Sequence, residues 1–183
     1  MRSTYERGKS NKTTANDVAL IGVLLAFILV AGLLERTIPL DFLVPGARLG
    51  LSNAVVLTAV YLFRFRAALL LTVLKCALLS VLAGGPSSFI YSLSGSLLSL
   101  AAMQILTRVF AERISPVGVS AAGAACHSAG QVLAACAVLE NIGMLAYLPP
   151  LLIVSLVSGV LVGVIVKYTV PRLRAFKKSG MRQ

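Results

Sequence analysis

Six apolar stretches set the terms for this chain: roughly Val18–Leu34, Leu49–Phe63, Ala67–Leu82, Phe89–Thr107, Val117–Leu139 and Leu151–Val166. A helix needs about 20 residues to cross a hydrocarbon core about 30 Å thick. The second and sixth stretches look short, so either their flanks continue them or the bilayer is locally thin. The first stretch runs straight into Glu35 and Arg36 with no small-residue cleavage site, so it reads as a span and not as a signal peptide. Of the 183 residues, 58% are hydrophobic and only 13% charged, too little polar surface for a soluble domain of this size. The expected fold is all-α, a polytopic bundle of six transmembrane helices.

A net charge of +11 would point to nucleic acid in a soluble protein. Here the basic residues flank the apolar runs, where they mark orientation, and no nucleic-acid partner is expected. With six spans, Arg2, Arg7, Lys9, Lys12, Arg64, Arg66, Arg108, Arg113, Lys167, Arg172, Arg174, Lys177, Lys178 and Arg182 all fall on one side. Only Arg36 and Arg48 fall on the other. Both termini are therefore expected in the cytoplasm, with residues 1–16 and 169–183 as basic cytoplasmic tails around a membrane domain of residues 17–168. The C-terminal tail supports two readings, contact with anionic membrane lipids or docking of an acidic partner.

Polar residues at membrane depth are costly unless they are paired or line a cavity. Lys75 sits near the middle of the third stretch. It is either a cation paired for packing, with Glu35, Asp41 and Glu140 as candidate partners, or a ligand or coupling group. His127 and Gln131 are four residues apart in the fifth stretch and share a helix face. They read either as interhelical hydrogen bonding or as ligand contacts, with Ser120 and Ser128 adding hydroxyls nearby. The first connection contains Pro45-Gly46, then Arg48 and Asn53 around Gly50. Short Gly/Pro-interrupted membrane segments point to transporter sites, although an outer loop folded over the bundle is the plainer reading. Gly84-Gly85-Pro86 before Tyr91, and Tyr147-Leu148-Pro149-Pro150, make further outer loops that would help to roof a cavity.

Small residues let helices pack closely in lipid. Ala15 and Ala19, then Gly22 and Ala26, are so spaced on the first helix, as are Gly159 and Gly163 on the sixth. Most such faces serve bundle packing, and one of them is a candidate surface for another subunit. The cysteines, Cys76, Cys126 and Cys136, lie in apolar segments and read as reduced small residues. Gly8-Lys9-Ser10 lacks the first glycine and the preceding strand of a phosphate-binding loop, so no ATP site is expected. Asp17 and Asp41 stand far apart, whereas magnesium-diphosphate chemistry needs clustered carboxylates. No metal, no cofactor and no catalysis by the chain alone are expected.

The strings Pro45-Gly46-Ala47-Arg48-Leu49-Gly50-Leu51-Ser52-Asn53, Tyr91-Ser92-Leu93-Ser94-Gly95, His127-Ser128-Ala129-Gly130-Gln131 and Tyr147-Leu148-Pro149 resemble a bacterial membrane family. It is known as the Gx transporter family and often as heptaprenyl diphosphate synthase component I. The resemblance covers about residues 18–166. The chain departs from it at Ser128, where asparagine is expected, and at Lys75, where arginine is usual.

The family is similar to the S components of energy-coupling factor transporters. That similarity implies a multi-pass protein of the bacterial cytoplasmic membrane that captures a small ligand from outside. It also implies a transmembrane coupling subunit with cytoplasmic ATPases as partners. On this reading Arg48, Asn53, Lys75, His127 and Gln131 line an outward-facing pocket for an anionic or polar ligand, with Tyr91 and Glu35 near its mouth. Ala15, Ala19, Gly22 and Ala26 would then meet the coupling subunit. The synthase name implies instead a non-catalytic membrane accessory to polyprenyl diphosphate synthesis.

Overall fold

The computed structural model describes residues 15–37, 50–83, 85–110 and 113–180, and among these no strand occurs. The helices are α1 (Ala15–Thr37), α2 (Leu51–Leu62), α3 (Phe65–Ala83), α4 (Gly85–Val109), α5 (Pro116–Val138) and α6 (Leu148–Gly180). A 3-10 turn, Ile142–Tyr147, leads into α6. A chain without water around it must satisfy its backbone internally, and a helix does so within a single segment. All helices but α2 are long and apolar enough to cross a membrane.

The polarity of the bundle is inverted relative to a soluble protein. Phe27, Val81, Ile105, Leu133 and Ile153 are exposed, while Glu35, Lys75, Ser96, Ser99, Ser120 and Ser158 are buried. An apolar exterior of this extent belongs against lipid. The chain is a membrane protein.

The second stretch, expected over Leu49–Phe63, becomes the 12-residue α2. At 1.5 Å per residue it is about 18 Å long, so α2 alone does not reach across a core of about 30 Å. It lies at the centre instead, touching α1, α3, α4, α5 and α6. Val56, Leu57, Thr58, Ala59 and Val60 are buried in unbroken succession. A helix covered on every side needs no amphipathic stripe. Around this half of α2 the apolar core gathers Ile28, Leu71, Leu100, Val119 and Val166.

Each end of α2 meets a charged side chain of the complementary sign. Gly50, at φ +74, starts the helix and brings no capping side chain of its own. The Ser52 amide donates instead to Glu35 Oε1 of α1 at 3.0 Å. At the other end Arg174 of α6 donates to the Tyr61 carbonyl at 3.2 Å. Anions favour helix N-termini and cations C-termini, because the aligned peptide dipoles leave partial charges there.

α6 runs on beyond Val166 to Gly180, 33 residues in all, about 50 Å. That continuation is what carries Arg174 to α2. Elsewhere glycine sets the packing. A Cβ on Gly163 would stand 2.5 Å from Val117 Cα, and one on Gly159 would stand 2.8 Å from Ala121 Cα, so α6 lies directly on the backbone of α5. α5 opens with Pro116 at its first turn and Ser115 as N-cap, whose hydroxyl accepts from the Gly118 amide at 3.2 Å.

Candidate functional site: a polar cavity around the start of α2

The N-terminal half of α2 faces a cavity of about 50 Å³ to which all six helices contribute. That is room for a few water molecules. The charged residues on its wall are Glu35 and Lys75, joined by Asn53, His127 and Gln131. Lys75 is only 3% exposed and its ammonium donates to Asn53 Oδ1 at 2.5 Å. This contact ties α3 to the first turn of α2, beside the Glu35–Ser52 bond that ties α1 to it. An anion, a cation and a helix N-terminus therefore meet at one place within the apolar bundle.

His127 and Gln131 reach the cavity because α4 gives way. A Cβ at Gly95 would stand 2.6 Å from the His127 carbonyl, 2.7 Å from Gln131 Cγ and 3.2 Å from His127 Cε1. Gly130 makes the reciprocal approach, 2.9 Å from Gly95 Cα. One step along α5, Ser128 hydrogen-bonds Ser155, and Ser155 also donates to the Leu151 carbonyl at 2.6 Å.

Of the residues expected at the site, the structure brings together Glu35, Asn53, Lys75, His127 and Gln131. Glu35 lies on the wall itself, holding α2. Tyr91 is half-buried and precedes the lining residue Ser92 without being part of the lining. Arg48 lies outside the described residues. Along α1, Ala19, Gly22 and Ala26 are exposed, and a Cβ on Gly22 would meet nothing within 4 Å; the side chain of Ala15 lies outside the described set. α1 packs on α2 and α3.

The lining serines Ser99, Ser155 and Ser158 were not singled out in the sequence. A signal was present on α4, where Ser88, Ser92, Ser96 and Ser99 recur at helical spacing and so share a face. Ser92 and Ser96 bracket the free thiol of Cys76, at 3.5 and 3.4 Å. Among the described residues no three His, Cys, Asp or Glu side chains gather as a metal site would require.

Fold and cavity together define a polytopic helical membrane protein with a polar, charge-bearing interior. Residues 24–169 match the family described as heptaprenyl diphosphate synthase component I, and the chain belongs to that family. The family's description implies a partner synthase component. No curated protein and no solved structure matches the chain.

Proposed function

We propose that the chain captures a small polar or anionic molecule in this cavity, in the manner of an energy-coupling factor S component. The observation that carries the reading is Lys75, a buried cation held on Asn53 in a cavity built by every helix. A lysine at the centre of a membrane helix costs about 3 kcal/mol, and a role in binding accounts for its presence. Asn53, His127 and Gln131 supply hydrogen bonds around it. Arg48, just upstream of α2, adds a second cation, and Tyr91 stands near the mouth. The basic flanks orient the start of α2 toward the outside and both tails toward the cytoplasm. The face of Ala19, Gly22 and Ala26, exposed among the described residues, offers a close-approach surface for a coupling subunit, with Ala15 in sequence register with it.

Native mass spectrometry of gently purified protein should find a retained polar metabolite that Lys75→Ala and His127→Ala release. A folded Lys75→Ala protein that retains it as wild type does would end the proposal. The family match favours a second reading, a membrane accessory to a soluble prenyl diphosphate synthase. Co-purification with such a synthase, and activity that needs both chains, would establish that one instead.

A further inference from the structure

The cavity extends well past the charged cluster. On α5 its wall runs from Gln131 to Ser120, 11 positions, about 16 Å along the helix axis. With a volume of about 50 Å³ and a lining that runs this far, the space is elongated. At the far end the wall consists of Ser99 of α4, Ser120 of α5 and Ser158 of α6, with Met103 and Val162 between them. These serines are 2%, 4% and 5% exposed. Among the described residues none of their hydroxyls has a hydrogen-bond partner.

Other buried hydroxyls of the bundle behave differently. Thr58, Thr72 and Thr107 each donate to a carbonyl one turn back in their own helix at 2.8 Å. That is the ordinary way to satisfy a hydroxyl in a membrane helix. Ser99, Ser120 and Ser158 forgo it and line the cavity instead, where their hydroxyls are left to meet whatever fills that space. Gly123 and Gly159 border that space and let the helices around it approach closely, since a Cβ would stand 2.7 Å from Met103 Cγ on Gly123 and 2.8 Å from Ala121 Cα on Gly159. A Cβ on either would come 3.2 Å from Ser99 Oγ or the Ser120 carbonyl respectively. The charged members of the wall, Glu35 and Lys75, belong to the other end, around Asn53 and Ser52.

We propose that Ser99, Ser120 and Ser158 form a second, uncharged subsite, which holds the neutral hydrogen-bonding end of a slender ligand whose anionic end sits at Lys75 and Asn53. The inference rests on the capture reading and narrows it to a class. The occupant is an open-chain molecule, acidic at one end and carrying hydroxyl or carbonyl groups at the other.

Two measurements test this. In isolated membranes, Ser120→Cys and Ser158→Cys are made in a chain whose Cys76, Cys126 and Cys136 are replaced by serine, and each is treated with 2-aminoethyl methanethiosulfonate. Both should react at least about tenfold faster than Leu71→Cys, which lies in the apolar core. Rates equal to that control would mean sealed packing and overturn the subsite. In native mass spectrometry, Ser120→Ala/Ser158→Ala should lower the occupancy of the retained metabolite about tenfold, the loss of two neutral hydrogen bonds. Unchanged occupancy in that variant, with loss in Lys75→Ala, overturns the subsite alone. A wild-type protein that retains nothing while both cysteines react leaves a water-filled pocket and overturns the subsite and the capture reading together.

Discussion

The α4–α5–α6 side and the α1–α2–α3 side of this bundle hold together by different means. On the first, backbone lies on backbone: Gly95 against Gly130, Gly159 and Gly163 against α5, with Ser128 bonded to Ser155 between them. On the second, apolar side chains such as Ile28, Leu57 and Leu71 pack the core, and long charged side chains add to them at one end, Glu35 to the start of α2 and Lys75 to Asn53. The first arrangement tolerates almost no change in volume, because interiors are close-packed. The Glu35 and Lys75 contacts of the second depend on charge and hydrogen-bond geometry. The cavity lies where the two sides meet.

The largest effect should come from breaking the close-packed side. Gly163→Val drives a branched side chain into Val117 and should destabilise the bundle by about 3 kcal/mol or more, read as loss of monodisperse protein in detergent. Survival of that variant with an unchanged unfolding midpoint would remove the distinction between the two sides. On the other side, Glu35→Ala leaves the Ser52 amide without its acceptor and should cost about 1–2 kcal/mol in thermal unfolding. Glu35→Gln, which retains an acceptor oxygen, should recover most of that loss; equal losses would mean that charge and not hydrogen bonding holds α2.

Arg174→Ala should cost less, about 0.5–1 kcal/mol, since the contact is partly exposed and is made to a carbonyl at a helix end. A loss as large as that of Glu35→Ala would show the two ends of α2 to be equally anchored. The smallest effect is expected at Gly22→Leu, within about 0.5 kcal/mol for the isolated chain, because a Cβ there would meet none of the described residues of other helices within 4 Å. Strong destabilisation there would show that this face of α1 is already occupied within the bundle.

The helices were legible in the sequence because each apolar stretch became one. The pairing of His127 with Gln131 was legible too, since four residues on a helix return to the same face. The central place of α2 was not. In lipid both the interior and the exterior accept apolar side chains, so Leu51–Leu62 carries no stripe that points inward. The shortness of the second stretch was visible, but its physical reason, two ends met by Glu35 and Arg174, joins residues far apart in the chain. Arg174 itself read as part of a basic tail, because a lysine- and arginine-rich end looks alike whether it meets lipid or a helix terminus. The serines of α4 and α6 stayed in the background for a similar reason, since serine serves tight packing and cavity lining equally well. Tyr91 shows the limit of spacing arguments: one position on a helix separates it from Ser92, which lines the cavity.

The 12 residues of α2 also constrain how the protein is built. A segment about 18 Å long cannot be released into a bilayer as a free-standing span, because its backbone ends would be left in hydrocarbon. It has to wait beside α1 until α3 and α6 arrive with the groups that receive it. Assembly is then expected to stall in chains truncated before α6, with α2 accessible to protease in membrane vesicles and becoming protected only when the last helix is present.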